Sequence, residues 1–195
     1  MLLIFLDTET TGLDPDKHRA LEIAFCVVDA GSGRHLVSYE SVISQSQEIW
    51  AEADPESLKI NGFTWEEILD GKSEKAVAAE ILENIHGSHI TEKTGAFVCQ
   101  NPSFDRAFFS QIISPDLQAR CGWPYHWLDL ASMYWAYHLL KEPRTVLQRE
   151  SDLSKDRIAD HFNIPPETSP HRAMNGVRHL MACYDALFSS INSSI

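Results

Sequence analysis

The sequence predicts an α/β domain, a mixed sheet flanked by helices, and three observations predict it. The first is Leu2-Leu3-Ile4-Phe5-Leu6, an apolar run of the length of a buried strand, although run length alone does not separate a strand from a buried helix segment. The second is a pair of apolar runs, residues 20–29 and 34–43, separated by the turn sequence Ala30-Gly31-Ser32-Gly33 and therefore read as a hairpin. The third is the change to helical spacing from residue 53 onward, broken by one more strand-like run, Gly95-Ala96-Phe97-Val98-Cys99.

Composition narrows the class. The chain has 195 residues, of which 44% are apolar, enough for one domain with a substantial core over residues 1–195. Its formal net charge of -12, from 28 acids against 16 Lys and Arg, argues against a surface that coats nucleic acid non-specifically, because such binding rests on phosphate neutralisation. It does not exclude an enzyme that grips a few nucleotides through metal ions and a local patch. Cys26, Cys99, Cys121 and Cys183 are widely spaced, with neither zinc-knuckle nor disulfide-scaffold pairing, and read as reduced residues of a cytoplasmic protein. No apolar run approaches a membrane span, and the first residues lack the pattern of an export signal.

The first strand leads into Asp7-Thr8-Glu9-Thr10-Thr11-Gly12-Leu13. If the strand continues through the acids, Asp7 and Glu9 share one face, because residues two apart in a strand project the same way. Paired carboxylates repel unless a cation lies between them, and oxygen ligands of this kind suit magnesium or manganese. A strand ending in solvated acids is the plainer reading of an isolated Asp-x-Glu. After it, Lys17, His18 and Arg19 lie in a polar loop that can approach a phosphate or remain solvated. The second strand is interrupted by Glu22.

In the helical stretch, Asp54-Pro55-Glu56 opens a helix that Asn61-Gly62 stops, and Thr64 with Glu67 has capping-box spacing. Residues 73–85 carry Val77, Ile81, Leu82 and Ile85 on one stripe that packs on the sheet. The turn at residues 60–63 reads as structural. Beyond the run at 95–99, Asn101 reads as a cap with Pro102 at the first helical position, which places Asp105 one turn into a helix beside the stripe Phe104, Phe108 and Ile112. A helix that begins where a parallel strand ends brings its acid to the same sheet edge as Asp7 and Glu9. Residues 123–126 read as a loop, and Leu128-Asp129-Leu130 opens a helix carrying Met133, Tyr134, Tyr137 and Leu140, with Asp129 as its cap and a homodimer surface as one use of its aromatics. Residues 141–152 read as a polar loop and 153–162 as a short helix. A last helix starts at Pro170, capped by Thr168 or Ser169, with Met174, Val177, Leu180 and Met181 inward and His171 in its first turn, where histidine supplies a general base near neutrality or is simply an exposed residue.

Asp7-Thr8-Glu9-Thr10-Thr11-Gly12, Asn101 with Asp105, and His171-Arg172-Ala173, in this order, resemble the three motifs of the DEDDh 3'-5' exonucleases, the group of proofreading subunits, ribonuclease T and oligoribonuclease. The resemblance covers residues 2–187. It implies a ribonuclease H-like fold with a central mixed five-stranded sheet, and hydrolysis at the 3' end of single-stranded DNA or RNA to nucleoside monophosphates with two Mg²⁺ or Mn²⁺ ions. It also implies Asp7, Glu9 and Asp105 as metal ligands, His171 as proton acceptor, and Thr8, Thr10, Gly12, Leu13, Asn101 and Phe104 as substrate contacts.

One position departs from the motif. The final aspartate of the group falls five residues beyond the histidine, where this chain has Gly176, and glycine offers no ligand. The site is then weakened but active, or completed by Asn175 or His179, or the chain is a non-catalytic relative that binds nucleic acid or protein. His179, three residues from Gly176, shares its helix face and is the more directed substitute. On this reading Gly176→Asp restores a ligand and tightens metal binding.

Overall fold

A computed structural model describes residues 1–141 and 152–192. The loop expected at 141–152 lies almost wholly outside them. Five strands, β1 (Leu2–Thr10), β2 (Ala20–Asp29), β3 (Arg34–Val42), β4 (Gly95–Cys99) and β5 (Trp127–Asp129), form one mixed sheet in the order β3-β2-β1-β4-β5. The hairpin partners β2 and β3 are antiparallel, as are β1 and β2, whereas β1, β4 and β5 run parallel. Strand β1 therefore continues through both acids, and its carboxyl end lies on the same edge as those of β4 and β5.

Alternation along the sheet divides the core into two layers. Leu3, Phe5, Ala24, Cys26 and Val98 face one side, where they meet Val177, Leu180 and Leu187 of the long C-terminal helix α9 (Ala173–Asn192). Ile4, Leu6, Ile23, Phe25 and Phe97 face the other, against Val77, Ile81 and Ile85 of α4 (Glu74–Gly87) and Phe108, Phe109 and Ile112 of α5 (Pro102–Ile112). With both faces covered, β2 is buried at nearly every position, which is why its sequence is continuous in apolar residues rather than alternating.

Short helices complete the chain: α1 (Gln47–Ala51), α2 (Pro55–Asn61), α3 (Trp65–Leu69), α6 (Pro115–Arg120), α7 (Leu130–Lys141) and α8 (Lys155–His161). Helices α2 and α3 start at the expected caps, Asp54 and Thr64, the latter in a full capping box with Glu67. Gly62 ends α2 with φ of 65°, the left-handed conformation that glycine adopts without steric cost. Four expectations need correction. The last helix begins at Ala173 rather than Pro170, so His171 lies in the loop before it and not in its first turn. Helices α1 and α6 arise in segments that periodicity did not mark. Trp127–Asp129 is an edge strand, so the helix begins at Leu130, with Asp129 accepting bonds from the Ala131 and Ser132 amides. Asn101 occupies the cap position of α5 but makes no side-chain cap bond; it is left-handed, with φ of 57°, and its Oδ1 accepts from Ser103.

Candidate active site

The two sides of β1 deliver different groups to one end of the sheet. Asp7 and Glu9 continue the row of Leu3 and Phe5 and so face α9, while Thr8 continues the row of Ile4 and Leu6 and faces α5. The Thr8 hydroxyl donates to Asp105 Oδ1 at 2.9 Å, which fixes the acid of α5 against the strand. Asp105 is 3% exposed, and Glu9 and Thr8 are also buried.

His171 reaches the same edge through its backbone. Its N–H donates to the Ile60 carbonyl at 3.0 Å, in the last turn of α2. That turn is structural, as expected: Asn61 is buried, donates to the Thr10 carbonyl and accepts from the Phe63 amide. Two neighbours of His171 anchor it further. The Arg172 guanidinium lies 3.8 Å from the centroid of the Phe63 ring and donates to Glu67, and the Ala173 N–H donates to Glu22 Oε2 at 2.7 Å. Glu22, the acid that interrupts β2, thus satisfies an orphan amide at the start of α9.

Ligand atoms of Glu9, Glu167 and His171 lie within 4.8 Å of one another, a spacing one cation can span. Glu167 comes from the loop before α9, and its side chain is 2% exposed. Its Oε2 forms a 2.6 Å ion pair with Lys155 Nζ, from the first turn of α8, while its buried Oε1 has no donor among the described residues. The same ammonium lies 3.7 Å from Asp7 Oδ1. Neither Lys155 nor Glu167 was marked by the sequence, where each is a single charge in a polar stretch.

Electrostatics record the crowding. Burial, together with Asp7, Glu167 and Glu22, pushes the Glu9 carboxyl up to about 8. Burial also raises Asp7, against the opposing pull of Lys155, and burial and then Asp7 raise Asp105 well above the carboxylate range. Burial alone would lower Lys155, but Asp7 and Glu167 outweigh it and hold the ammonium charged. Acids so disposed favour a bound cation.

The proposed substitutes for the missing acid do not fill its place. The Asn175 amide donates to the Thr168 hydroxyl, and His179 Nε2 lies 2.9 Å from the Pro165 carbonyl oxygen. The carboxylate that joins the cluster is that of Glu167. A Cβ at 176 would lie 2.1 Å from Asp7 Oδ2, so the acid expected of Gly176→Asp enters only if the Asp7 carboxylate shifts. Of the expected substrate contacts, Thr10 spends its hydroxyl on the Gly12 carbonyl, and Gly12 lies under the His18 ring, where a Cβ would meet Cε1 at 2.4 Å. Leu13 is 73% exposed, Asn101 is exposed, and Phe104 is half-buried against Phe108. The loop cations are engaged locally: Lys17 pairs with Asp14, His18 accepts from the Asp14 amide, and Arg19 donates to the Pro15 and His18 carbonyls.

Comparison with known proteins bears on the fold and the family. The chain is 30% identical to an oligoribonuclease of Burkholderia lata over 120 residues, 62% of this chain and 48% of the relative, and 28% identical to that of Chromobacterium violaceum over 133 residues, 67% of this chain and 72% of the relative. Among solved structures it resembles E. coli exonuclease I in complex with a dT13 oligonucleotide, with a TM-score of 0.71 and 20% identity over 95% of this chain and 40% of that one. It also resembles cell-death related nuclease 4, with a TM-score of 0.76 and 13% identity over 97% of this chain and 64% of that one. These two likenesses establish the ribonuclease H-like fold. The chain spans about half the length of the Burkholderia relative. The family model described as exonuclease, RNase_T, matches residues 4–184, and the chain belongs to that family.

Proposed function

We propose that the protein is a metal-dependent 3'-5' exonuclease that hydrolyses the terminal phosphodiester of single-stranded DNA or RNA and releases nucleoside monophosphates. The observation that carries this reading is the convergence of Asp7, Glu9, Asp105, Glu167 and His171 from three parts of the chain on one sheet edge. The donor set fits magnesium or manganese: carboxylate oxygens, one of them buried without a donor. The divalent cation, when bound, supplies charge stabilisation at the phosphate and acidifies the attacking water.

The chain's own residues do the rest. Asp7, Glu9 and Asp105 would hold the cation, with Thr8 orienting Asp105. His171 accepts the proton of the attacking water, and its position is fixed by Ile60 and by the Glu22 bond to the next turn. Leu13, Asn101 and Phe104 offer the accessible surface for the terminal nucleotides, while Thr8, Thr10 and Gly12 shape the loop that presents it. Two ions are what the family resemblance implies for the productive complex.

A second reading is a catalytically weakened or inactive module that binds a strand or protein. It is favoured by Lys155, whose ammonium already neutralises part of the charge that a cation would meet. We also place the protein in the cytoplasm, in keeping with four free cysteines, three of them buried, and read α7, with Trp135 and Leu140 exposed, as a homodimer surface. Among the described residues no helix is long and apolar enough to cross a membrane.

End-labelled DNA and RNA strands, a 3'-phosphorylated strand as blocked control and Asp7→Ala as inactive background test the activity. Stepwise shortening from the free 3' end with Mg²⁺ or Mn²⁺ is the expected result. Binding without shortening, in either metal, supports the second reading.

A further inference from the structure

We infer that the Lys155 ammonium takes the place of one of the two divalent cations expected at this site, that Glu167 supplies the carboxylate absent at position 176, and that the protein accordingly binds a single divalent ion. The inference rests on the metal-dependent reading above.

Two features point to Glu167 as the replacement acid. Its side chain is buried and, among the described residues, Oε1 has no donor, while a carboxylate oxygen of Glu167 lies within 4.8 Å of ligand atoms of Glu9 and His171. An unpartnered buried carboxylate oxygen is costly unless something binds it. The second feature is Gly176 itself. With no side chain there, the Asp7 carboxylate occupies the space that a Cβ at 176 would take, 2.1 Å from Oδ2, and the chain offers no acid from that position.

Lys155 then alters the charge balance. Asp7, Glu9, Asp105 and Glu167 offer four carboxylates, which two dications would already neutralise. A resident ammonium, 2.6 Å from Glu167 and 3.7 Å from Asp7 with a side chain only 15% exposed, makes the second dication surplus and stands in its way. A lysine in this position is a point charge with three donors, able to bridge two carboxylates as an ion would. The carboxylates left over, those of Glu9 and Glu167, lie close enough to share one cation, with His171 beside them to take the proton of a bound water.

The experiment is a Mn²⁺ titration of the metal-stripped chain by calorimetry, with free Mn²⁺ counted by electron paramagnetic resonance. Wild type is expected to bind one ion. Lys155→Met, which keeps length and removes charge, is expected to bind two, and Lys155→Arg, which keeps charge, one. Glu167→Gln is expected to weaken the ion in wild type by tenfold or more. Thermal melts establish that each variant is folded, and if Lys155→Met is not, the wild-type count and Glu167→Gln still decide. A wild-type count of two or none, a folded Lys155→Met that still binds one, or a Glu167→Gln of unchanged affinity overturns the inference. Strand trimming in the same preparations separates the two readings: one ion without trimming removes the exonuclease and keeps the single-ion site, while two ions with trimming do the reverse.

Discussion

At position 176 a side chain and the Asp7 carboxylate compete for one volume. Gly176→Ala places a methyl carbon 2.1 Å from Asp7 Oδ2, so Asp7 must rotate and leave its place beside Lys155. Overpacking of this kind costs about 1–3 kcal/mol, and we expect denaturant unfolding of the variant to show it together with weaker Mn²⁺ binding. Gly176→Asp is expected to behave in the same direction; tighter metal binding by either variant would mean that Asp7 has room to move. His171→Ala, by contrast, is expected to leave the melting temperature unchanged and to lower single-turnover cleavage by about 10²–10⁴-fold if His171 takes the proton. The residues legible in the sequence were those at element boundaries. Asp7 and Glu9 end an apolar run, Asp105 follows a Pro-opened helix start, and His171 precedes another, so local pattern places each one. Lys155 and Glu167 carry no such local signal, because their meeting depends on how α8 and the loop before α9 fold back on β1.

At the scale of elements, α9 is held by a buried side chain more than a hundred residues away. Glu22 Oε2 accepts the Ala173 N–H, and the same carboxyl is pushed up by burial, against the lowering effect of that bond. Glu22→Ala leaves a buried amide unsatisfied, and we expect a loss of about 1–3 kcal/mol with faster amide exchange at Ala173. Glu22→Gln, whose amide oxygen still accepts, should recover most of both; equal loss in the two variants would assign the effect to packing. Helices α2, α3 and α4 were legible because each carries a side-chain cap and a stripe or stop. Helices α1 and α6, five and six residues long, offer too few turns for periodicity, although Ser46 and Ser114 do cap them. The three residues of β5 gain their strand geometry from pairing with β4, which no local pattern reveals.

For the molecule as a whole, the sheet edge concentrates acids in a protein that is already at -12, and pH should report this as a stability profile. Glu9 has its pKa raised to about 8 in the fold, with Asp7 and Asp105 raised as well. A carboxyl raised in the fold takes up a proton on folding, so its contribution is complete below the unfolded carboxyl pKa of about 4.3 and is lost as pH climbs through the folded value. Lys155 does not offset this, because its raised pKa keeps it charged in both states throughout that window. In the presence of a chelator we therefore expect the melting temperature to fall between pH 5 and 8, with the stability lost on the order of a few kcal/mol. Divalent metal should reverse the trend, since the ionised acids bind it only in the folded chain and ligand binding to the native state raises stability. The measurement is a set of thermal melts at pH 5, 6.5 and 8, with chelator and with millimolar Mg²⁺ or Mn²⁺, for wild type and Glu9→Gln. The substitution removes one of these titrations and should flatten the chelated profile while reducing the gain from metal. A chelated wild type that keeps or gains stability toward pH 8 would show that these acids are ionised without a divalent ion, with Lys155 alone sufficient to hold them.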